Sequence, residues 1–288
     1  MIGLVTVTYN SETVLPDFLR SVRRQDTRCV VYAVDNASSD KSIELLVQVA
    51  SDDLRVLPQV ANGGIAVGNN VGIKMALHDG CDWILLINND TTFDAALVGK
   101  LVATAEEEDA LIVVPSIRYH DNPSVVWFEA ATYDRWRGSI PVALPPATPD
   151  RVRRIECANT CCALIHRSVF ELVGLMDENY FVYWDDTDFF LRCYRAGVAM
   201  VLDPRLTILH KVSSLTGGGE SEFSQRQRIK NRVYFVRKHS SRAIRWIGLP
   251  LTAWNALRLG FRSPNPRHRL DVLLKAFIEG LRMPVLPA

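Results

Sequence analysis

The chain has 288 residues, 48% of them apolar and 23% charged, with a formal net charge of +1. That is enough for one large domain or two small ones around a sizeable core, and it excludes a small disulfide-stapled scaffold. Charge is unevenly spread: residues 221–288 hold 14 basic side chains against only Glu222, Asp271 and Glu279. The tail is strongly basic and the rest of the chain is acidic overall.

The first residues, MIGLVTVTYN, pass directly into a strand-like run without a charged leader, so no export is expected. Six cysteines at 29, 81, 157, 161, 162 and 193 lack CxxC spacing, which predicts reduced thiols in a cytoplasmic protein. Four β-rich runs follow one another: IGLVTVTYN (2–10), CVVYAVDN (29–36), LRVLPQVAN (54–62) and WILLINND (83–90). Between them, SETVLPDFLRSVRRQ repeats Val14, Phe18, Leu19 and Val22 at helical spacing, and SSDKSIELLVQVA opens with a Ser/Asp cap and continues amphipathically. Alternating strand and helix predicts a parallel sheet with right-handed crossovers, and near-continuous apolar strands predict burial on both faces.

Each of the four runs ends in asparagine: Asn10, Asn36, Asn62, and the pair Asn88 and Asn89. In a parallel sheet these ends share one edge, where open α/β sheets bind ligands, and Asp35 and Asp90 lie with them. Asparagine also favours turns and caps wherever a strand stops, so each one alone has two readings. The glycines of NGGIAVGNNVG (62–72) predict a tight turn before a helix at IKMAL, and they match neither the dinucleotide fingerprint nor the phosphate-loop pattern.

Beyond Asp90, FDAALVGKLVATAEEE reads as a helix and ALIVVPSIRY as a strand, and residues 121–156, with four prolines from Pro141 to Pro149, read as a hairpin-like excursion. The segment from Asn159 to Gly197 carries the most chemistry. Tyr180, Phe181, Tyr183 and Trp184 abut Asp185, Asp186 and Asp188, and an apolar helical pattern runs on to Gly197. Acidic residues suit a first helical turn for structural reasons alone. A carboxylate desolvated by aromatic rings is also a better proton acceptor for an alcohol.

The motifs TVTYN, VDNASSD, NGGIAVGNN, INND and YFVYWDDTDFFLR, in this order, resemble family 2 glycosyltransferases over residues 1–240, most closely the rhamnosyltransferase-like members. The resemblance implies an inverting enzyme with the GT-A fold: a Rossmann-like, mostly parallel sheet flanked by helices, with a helical basic C-terminal extension. It implies a catalytic domain at 1–220, divided into a nucleotide-sugar half (about 1–115) and an acceptor half (about 116–220), followed by the extension at 221–288. Thr8, Tyr9 and Asn10 then line the nucleotide pocket, Asp35 meets the base, and Asn62, Gly64 and Asn69 lie near ribose and diphosphate. NND takes the place of the DxD motif, so Asn88 and Asn89 flank the donor and Asp90 binds Mg²⁺ or Mn²⁺, with His210 as a second ligand. By the same resemblance Asp186 is the general base, with Trp184 and Asp185 at the acceptor.

The donor implied is dTDP-L-rhamnose, with a UDP-sugar as the rival, and the acceptor is a surface glycan or its lipid-linked precursor. A neutral Asn88 at the first acidic position of DxD also leaves room for a non-catalytic nucleotide-sugar or glycan-binding module. His210 alone reads equally as a strand-end histidine satisfied by its neighbours. The segments SEFSQRQRIKNRVYFVRKH, AIRWIGLPLTAWNALRLGF and RLDVLLKAFIEGLRMPV combine apolar faces with Arg and Lys. Three readings stay open for them: peripheral contact with the cytoplasmic face of an anionic membrane, packing on the catalytic domain, or a homodimer contact. No nucleic-acid-reading motif accompanies the charge, and nucleic acid is not expected as a partner.

Overall fold

The computed structural model describes residues 1–212 and 221–285. The first part alternates as its periodicity demands: β1 (Ile2–Thr8), α1 (Leu15–Arg23), β2 (Val30–Asp35), α2 (Ser42–Gln48), β3 (Leu54–Pro58), α3 (Gly64–His78) and β4 (Trp83–Ile87). There follow β5 (Thr91–Phe93), α4 (Leu97–Glu107), β6 (Ile112–Tyr119), β7 (Val126–Phe128), β8 (Ala131–Asp134), β9 (Ile140–Ala143) and β10 (Arg153–Arg154). The remainder comprises β11 (Cys162–His166), α5 (Arg167–Val173), α6 (Asp185–Arg195), β12 (Met200–His210), α7 (Glu222–His239), α8 (Arg242–Phe261) and α9 (Pro266–Arg282).

One sheet runs in the order β10-β12-β6-β11-β4-β1-β2-β3, with β5 added to β12 and β7 to β6. Pairing is parallel across β4-β1-β2-β3 and again between β6 and β12, while the central β11 is antiparallel to both β4 and β6. All four C-terminal strand ends of the first half therefore lie along one edge. Every residue of β2 is buried, which is why that strand reads as an unbroken apolar run. Helices cover both faces: Phe18, Leu46 and Leu101 pack on one, while Ile73, Phe170, Phe189, Tyr234 and Phe235 pack on the other.

The glycine-rich segment differs from its expected form. Instead of a turn leading into a helix at IKMAL, α3 already begins at Gly64. The small residues serve close packing: a side chain at Gly68 would come within 2.7 Å of Val7 Cγ1, so glycine there lets α3 lie directly on β1. Residues 121–156 form the excursion expected, as β7 and the β8–β9 hairpin, and β10 then joins the edge of the large sheet.

Helix α7 belongs to two cores. Tyr234 and Phe235 sit in the large core beneath the sheet, while Ile229 joins Ala256, Leu273 and Ala276 of α8 and α9 in a small core of its own. Buried Gly248, Thr252, Ala256 and Gly260 recur every four residues on α8 and form the side it packs inward. The expected division at residue 220 lies outside the described residues. Among the described residues no helix is long and apolar enough to cross a membrane.

Candidate active site

Backbone geometry and buried polar bonds tie the strand ends together. Asn10 has φ 49°, its N–H donates to Ser38 Oγ at 3.0 Å, and its Oδ1 accepts from Ser39 N at 2.8 Å. Asp35, 3% exposed, accepts from Thr8 Oγ1 at 2.9 Å, Ser38 Oγ at 2.6 Å and Ser38 N at 2.9 Å. Tyr9 stands exposed beside them. Asn89 is buried and structural in its contacts, donating to Val7 O at 2.9 Å and Ser11 Oγ at 3.0 Å, which clamps the end of β4 to the end of β1. Asn88 is partly exposed, its N–H donating to Cys161 O at 3.0 Å. An asparagine-rich strand end thus divides its work: Asn89 fastens the edge, and Asn88 and Asp90 flank it.

Asp90 and His210 form the second group. Asp90 Oδ1 and His210 Nε2 are 3.2 Å apart, and both side chains are buried. Strand β5 pairs antiparallel with β12, placing His210 opposite Thr91, and Lys211 N donates to Asp90 O at 2.9 Å. Trp127 packs edge-on against the imidazole at 4.5 Å. His210 Nδ1 is buried without a hydrogen-bond partner among the described residues, so one of its two ring nitrogens is unsatisfied. Adjacent ligands of an octahedral cation with bonds of about 2.1 Å lie roughly 3 Å apart, so the Asp90–His210 separation fits two ligands of one hard cation. Among the described residues no group of three or more His, Cys, Asp or Glu could hold a metal.

The third group precedes and opens α6. Tyr183 and Trp184 both hold positive φ, 66° and 72°, an unusual and strained backbone for two bulky residues in succession. The surroundings hold them there. Asn231 Nδ2 on α7 donates to Val182 O at 2.8 Å and Tyr183 O at 2.9 Å, and Trp184 packs on Phe235 at 5.0 Å. Phe181 O accepts from Ile65 N at 2.8 Å, and Gly64 (φ 85°) permits that approach, since a side chain there would collide with Phe181 O.

Asp186 follows in the first turn of α6. Burial raises its carboxyl above the usual range, opposed by hydrogen bonds from Thr187 N at 2.6 Å and Thr187 Oγ1 at 3.2 Å. Asp185, expected at the acceptor, is instead turned inward, with 4% exposure; burial, and then the charge of Asp186, push its carboxyl well up. Successive helical residues diverge by about 100°, so two adjacent aspartates cannot face the same space. Asn69 is likewise placed inside: it sits on α3, 6% exposed, with Nδ2 against Met176 Sδ at 3.5 Å. Asn62 caps α3, accepting from Gly64 N at 2.9 Å.

Burial pushes Cys161 well up, and the negative charges of Asp90, Cys162 and Asp186 add to the rise. The first group reaches the third through Asn36, whose Nδ2 donates to Gly64 O at 3.0 Å, and thence through Phe181. Asp186, Tyr183 and Trp184 line a cleft of about 470 Å³ completed by Thr187 and by residues of α7 and α8, among them Arg228 and Arg232. These arginines escaped sequence reasoning, although their i, i+4 spacing on a basic helix puts them on one face. A larger cleft of about 650 Å³, between α1, β5, α4 and β12, contains none of the expected site residues.

The elements of the site are a carboxylate–imidazole pair spaced to suit a cation, a carboxyl of raised affinity for protons lining a cleft, and a polar strand edge. Residues 4–174 match the model of the glycosyl transferase family 2. The chain is 26% identical over 243 residues to the dTDP-rhamnosyl transferase RfbF of Shigella flexneri, covering 82% of this chain and 79% of that protein. It is 29% identical over 275 residues to the N-acetylglucosaminyl-diphospho-decaprenol L-rhamnosyltransferase of Mycobacterium tuberculosis, covering 87% and 88%. Among solved structures it resembles GalNAc-T7 with UDP, GalNAc and Mn²⁺ (TM-score 0.70, 16% identity, 98% of this chain and 56% of that one). It also resembles S. aureus TarS with UDP (TM-score 0.58, 14% identity, 96% and 70%). These folds are of the GT-A type, and the mixed sheet with helices on both faces is this chain's version of it. The chain belongs to glycosyl transferase family 2, among its rhamnosyltransferase-like members.

Proposed function

We propose that the protein is a divalent-cation-dependent, inverting transferase that moves L-rhamnose from dTDP-L-rhamnose to a glycan on a lipid carrier. The observation that carries this reading is the buried Asp90–His210 pair, 3.2 Å apart just beyond the C-terminal end of β4. In it, Thr8, Tyr9, Asn10, Asp35, Asn62, Gly64, Asn88 and Asn89 build the donor side, with Asn69 supporting α3 from within. Asp90 and His210 hold Mg²⁺ or Mn²⁺, which when bound offsets the charge of the departing nucleoside diphosphate as a Lewis acid. Asp186 removes the proton of the acceptor hydroxyl as that oxygen attacks from the opposite face of the sugar, so one displacement inverts the anomeric carbon. Trp184 offers the acceptor sugar a ring to stack on. Asp185 stays buried behind, its own carboxyl pushed well up by burial and by the charge of Asp186.

Residues 1–220 act as the catalytic unit and 221–288 as the extension. On α8, Trp246 (83% exposed), Ile247, Trp254 (66%) and Phe261 (68%) form an outward apolar stripe, with Arg242, Arg258 and Arg262 beside it. We assign this stripe to peripheral contact with an anionic membrane, in which tryptophan and arginine suit the interface. A lipid-linked acceptor accords with the name of the mycobacterial relative. A UDP-sugar donor is the second reading, favoured by UDP in the two solved relatives.

The test is donor turnover with dTDP-L-rhamnose, UDP-N-acetylglucosamine and GDP-mannose, each with Mn²⁺ and with chelator. Release of dTDP alone, abolished by chelator, is the expected result. Turnover of the UDP-sugar alone selects the second reading, and nucleotide binding without turnover of any donor identifies a non-catalytic binding module.

A further inference from the structure

The cleft on the far side of Asp186 has a character that proton abstraction does not require. Its walls are Tyr183, Trp184, Asp186 and Thr187 at the start of α6, Gln225, Arg228, Ile229 and Arg232 on α7, and Asn255 and Leu259 on α8. None of the strand-end residues that face the donor contributes to it. Arg228 lies over the Tyr183 ring, 4.6 Å from its centre. Arg232 Nε is buried and has no hydrogen-bond partner among the described residues. The charged neighbour that acts most on Arg232 is another cation, Arg137, which together with burial lowers its affinity for a proton. One helical turn from Arg228, the buried and unpartnered Nε of Arg232 carries a desolvation cost that an anion would offset.

We propose that Arg228 and Arg232 form a second anion site, which holds the phosphate or diphosphate that joins the acceptor sugar to its lipid, separate from the diphosphate site at Asp90. This deepens the proposed function and rests on its placing of the acceptor at Asp186. The volume, about 470 Å³, is in the range of ligand pockets generally. The exit fits a hydrocarbon chain. Leu251, Asn255 and Leu259 stand four residues apart on α8, so the row that lines the cleft continues outward to an exposed leucine beside Trp254. The sugar then lies against Trp184 with its hydroxyl at Asp186, the phosphate against the arginines, and the lipid along α8.

The experiment measures binding to the full chain by calorimetry, with citronellyl diphosphate and inorganic pyrophosphate in the absence of divalent metal, and dTDP with Mn²⁺ as a separate arm. Arg228→Gln, Arg232→Gln and the corresponding lysine variants are compared, with thermal melting as the check on folding. Arg228 is exposed, so its variant keeps the fold even if Arg232→Gln does not. Citronellyl diphosphate should bind the wild type more tightly than pyrophosphate, and about tenfold or more weakly in each glutamine variant, with partial recovery in the lysine variants. Affinity for dTDP with Mn²⁺ should stay within about twofold. Parallel loss of dTDP binding would assign the arginines to the donor and overturn the proposal, as would unchanged citronellyl diphosphate affinity in both glutamine variants. Equal wild-type affinities for pyrophosphate and citronellyl diphosphate would exclude a lipid carrier as the source of the anion. A wild type that binds citronellyl diphosphate but no nucleotide would strike at the donor assignment and leave this site standing.

Discussion

The first turn of α6 presents two aspartates to two different surroundings. Asp186 faces the cleft and accepts from the Thr187 N–H and hydroxyl, whereas Asp188 faces inward, fully buried, among Arg192 (2.9 Å), Lys238 (2.8 Å) and His239 (2.6 Å). Burial alone raises a carboxyl, and for Asp186 it prevails. For Asp188 burial is overcome by His239, Lys238 and Arg192, which hold the carboxyl well below its usual range. Helix and side-chain type are the same, so partners decide whether a buried aspartate acts as a base or as a rivet.

The largest effect should come from abolishing the base. Asp186→Asn should lower transfer by about 10²- to 10⁴-fold while retaining nucleotide binding, read as initial rates beside calorimetric dTDP affinity. The same variant should melt at a higher temperature at neutral pH, because a carboxylate with raised proton affinity opposes folding when charged; a lower melting temperature would make Asp186 structural and collapse the contrast. Asp188→Asn should do the reverse. Breaking a buried ion pair costs about 3–5 kcal/mol, so urea unfolding should shift by that much, while the surviving folded protein still binds nucleotide.

Acid should separate the two aspartates further. With Asp186 raised, the acid limb of kcat/KM should lie above the ordinary aspartate value of 3.8. With Asp188 lowered, its contribution to stability is fully present above 3.8 and is lost only as pH falls through its depressed folded value. Activity should therefore fail on acidification before this part of the stability does, as parallel pH series of rate and melting temperature would show. At the other end of the site, His210→Ala should weaken Mn²⁺ activation by on the order of 10–100-fold. The smallest effect is expected at the periphery: Trp254→Ser should reduce partition into phosphatidylglycerol vesicles by about tenfold and leave donor turnover in solution intact.

The sheet half was legible in the sequence because its signals are local. Continuous apolar runs, intervening helical periodicity and polar strand ends all follow from burial on both faces, and Phe18, Val34 and Ile87 lie in the core as that pattern requires. The inward turn of Asp185 was not legible, since adjacency in sequence hides the helical angle between neighbours. Nor was the helix start at Gly64, because glycine signals a turn locally and its use here, room for the Phe181 carbonyl, is a tertiary fact. The sequence left three readings open for the basic tail: membrane contact, packing on the catalytic domain, or a homodimer contact. Helix α7 enters the large core through Tyr234 and Phe235, and its Lys238 is 2% exposed, satisfied by aspartates at 177 and 188 that lie far away in the chain.

Asn231 has a mechanical corollary. Its amide grips the carbonyls of Val182 and Tyr183, immediately ahead of the catalytic turn, while the helix that carries it is also wedged against α8 and α9. Whatever surface receives the C-terminal pair thereby holds one end of a strut whose other end sets the strained peptides before Asp186. Under the proposed membrane assignment, anchoring and aim are properties of a single lever, and the protein torn from its surface would lose accuracy at the reacting hydroxyl as well as proximity to its substrate.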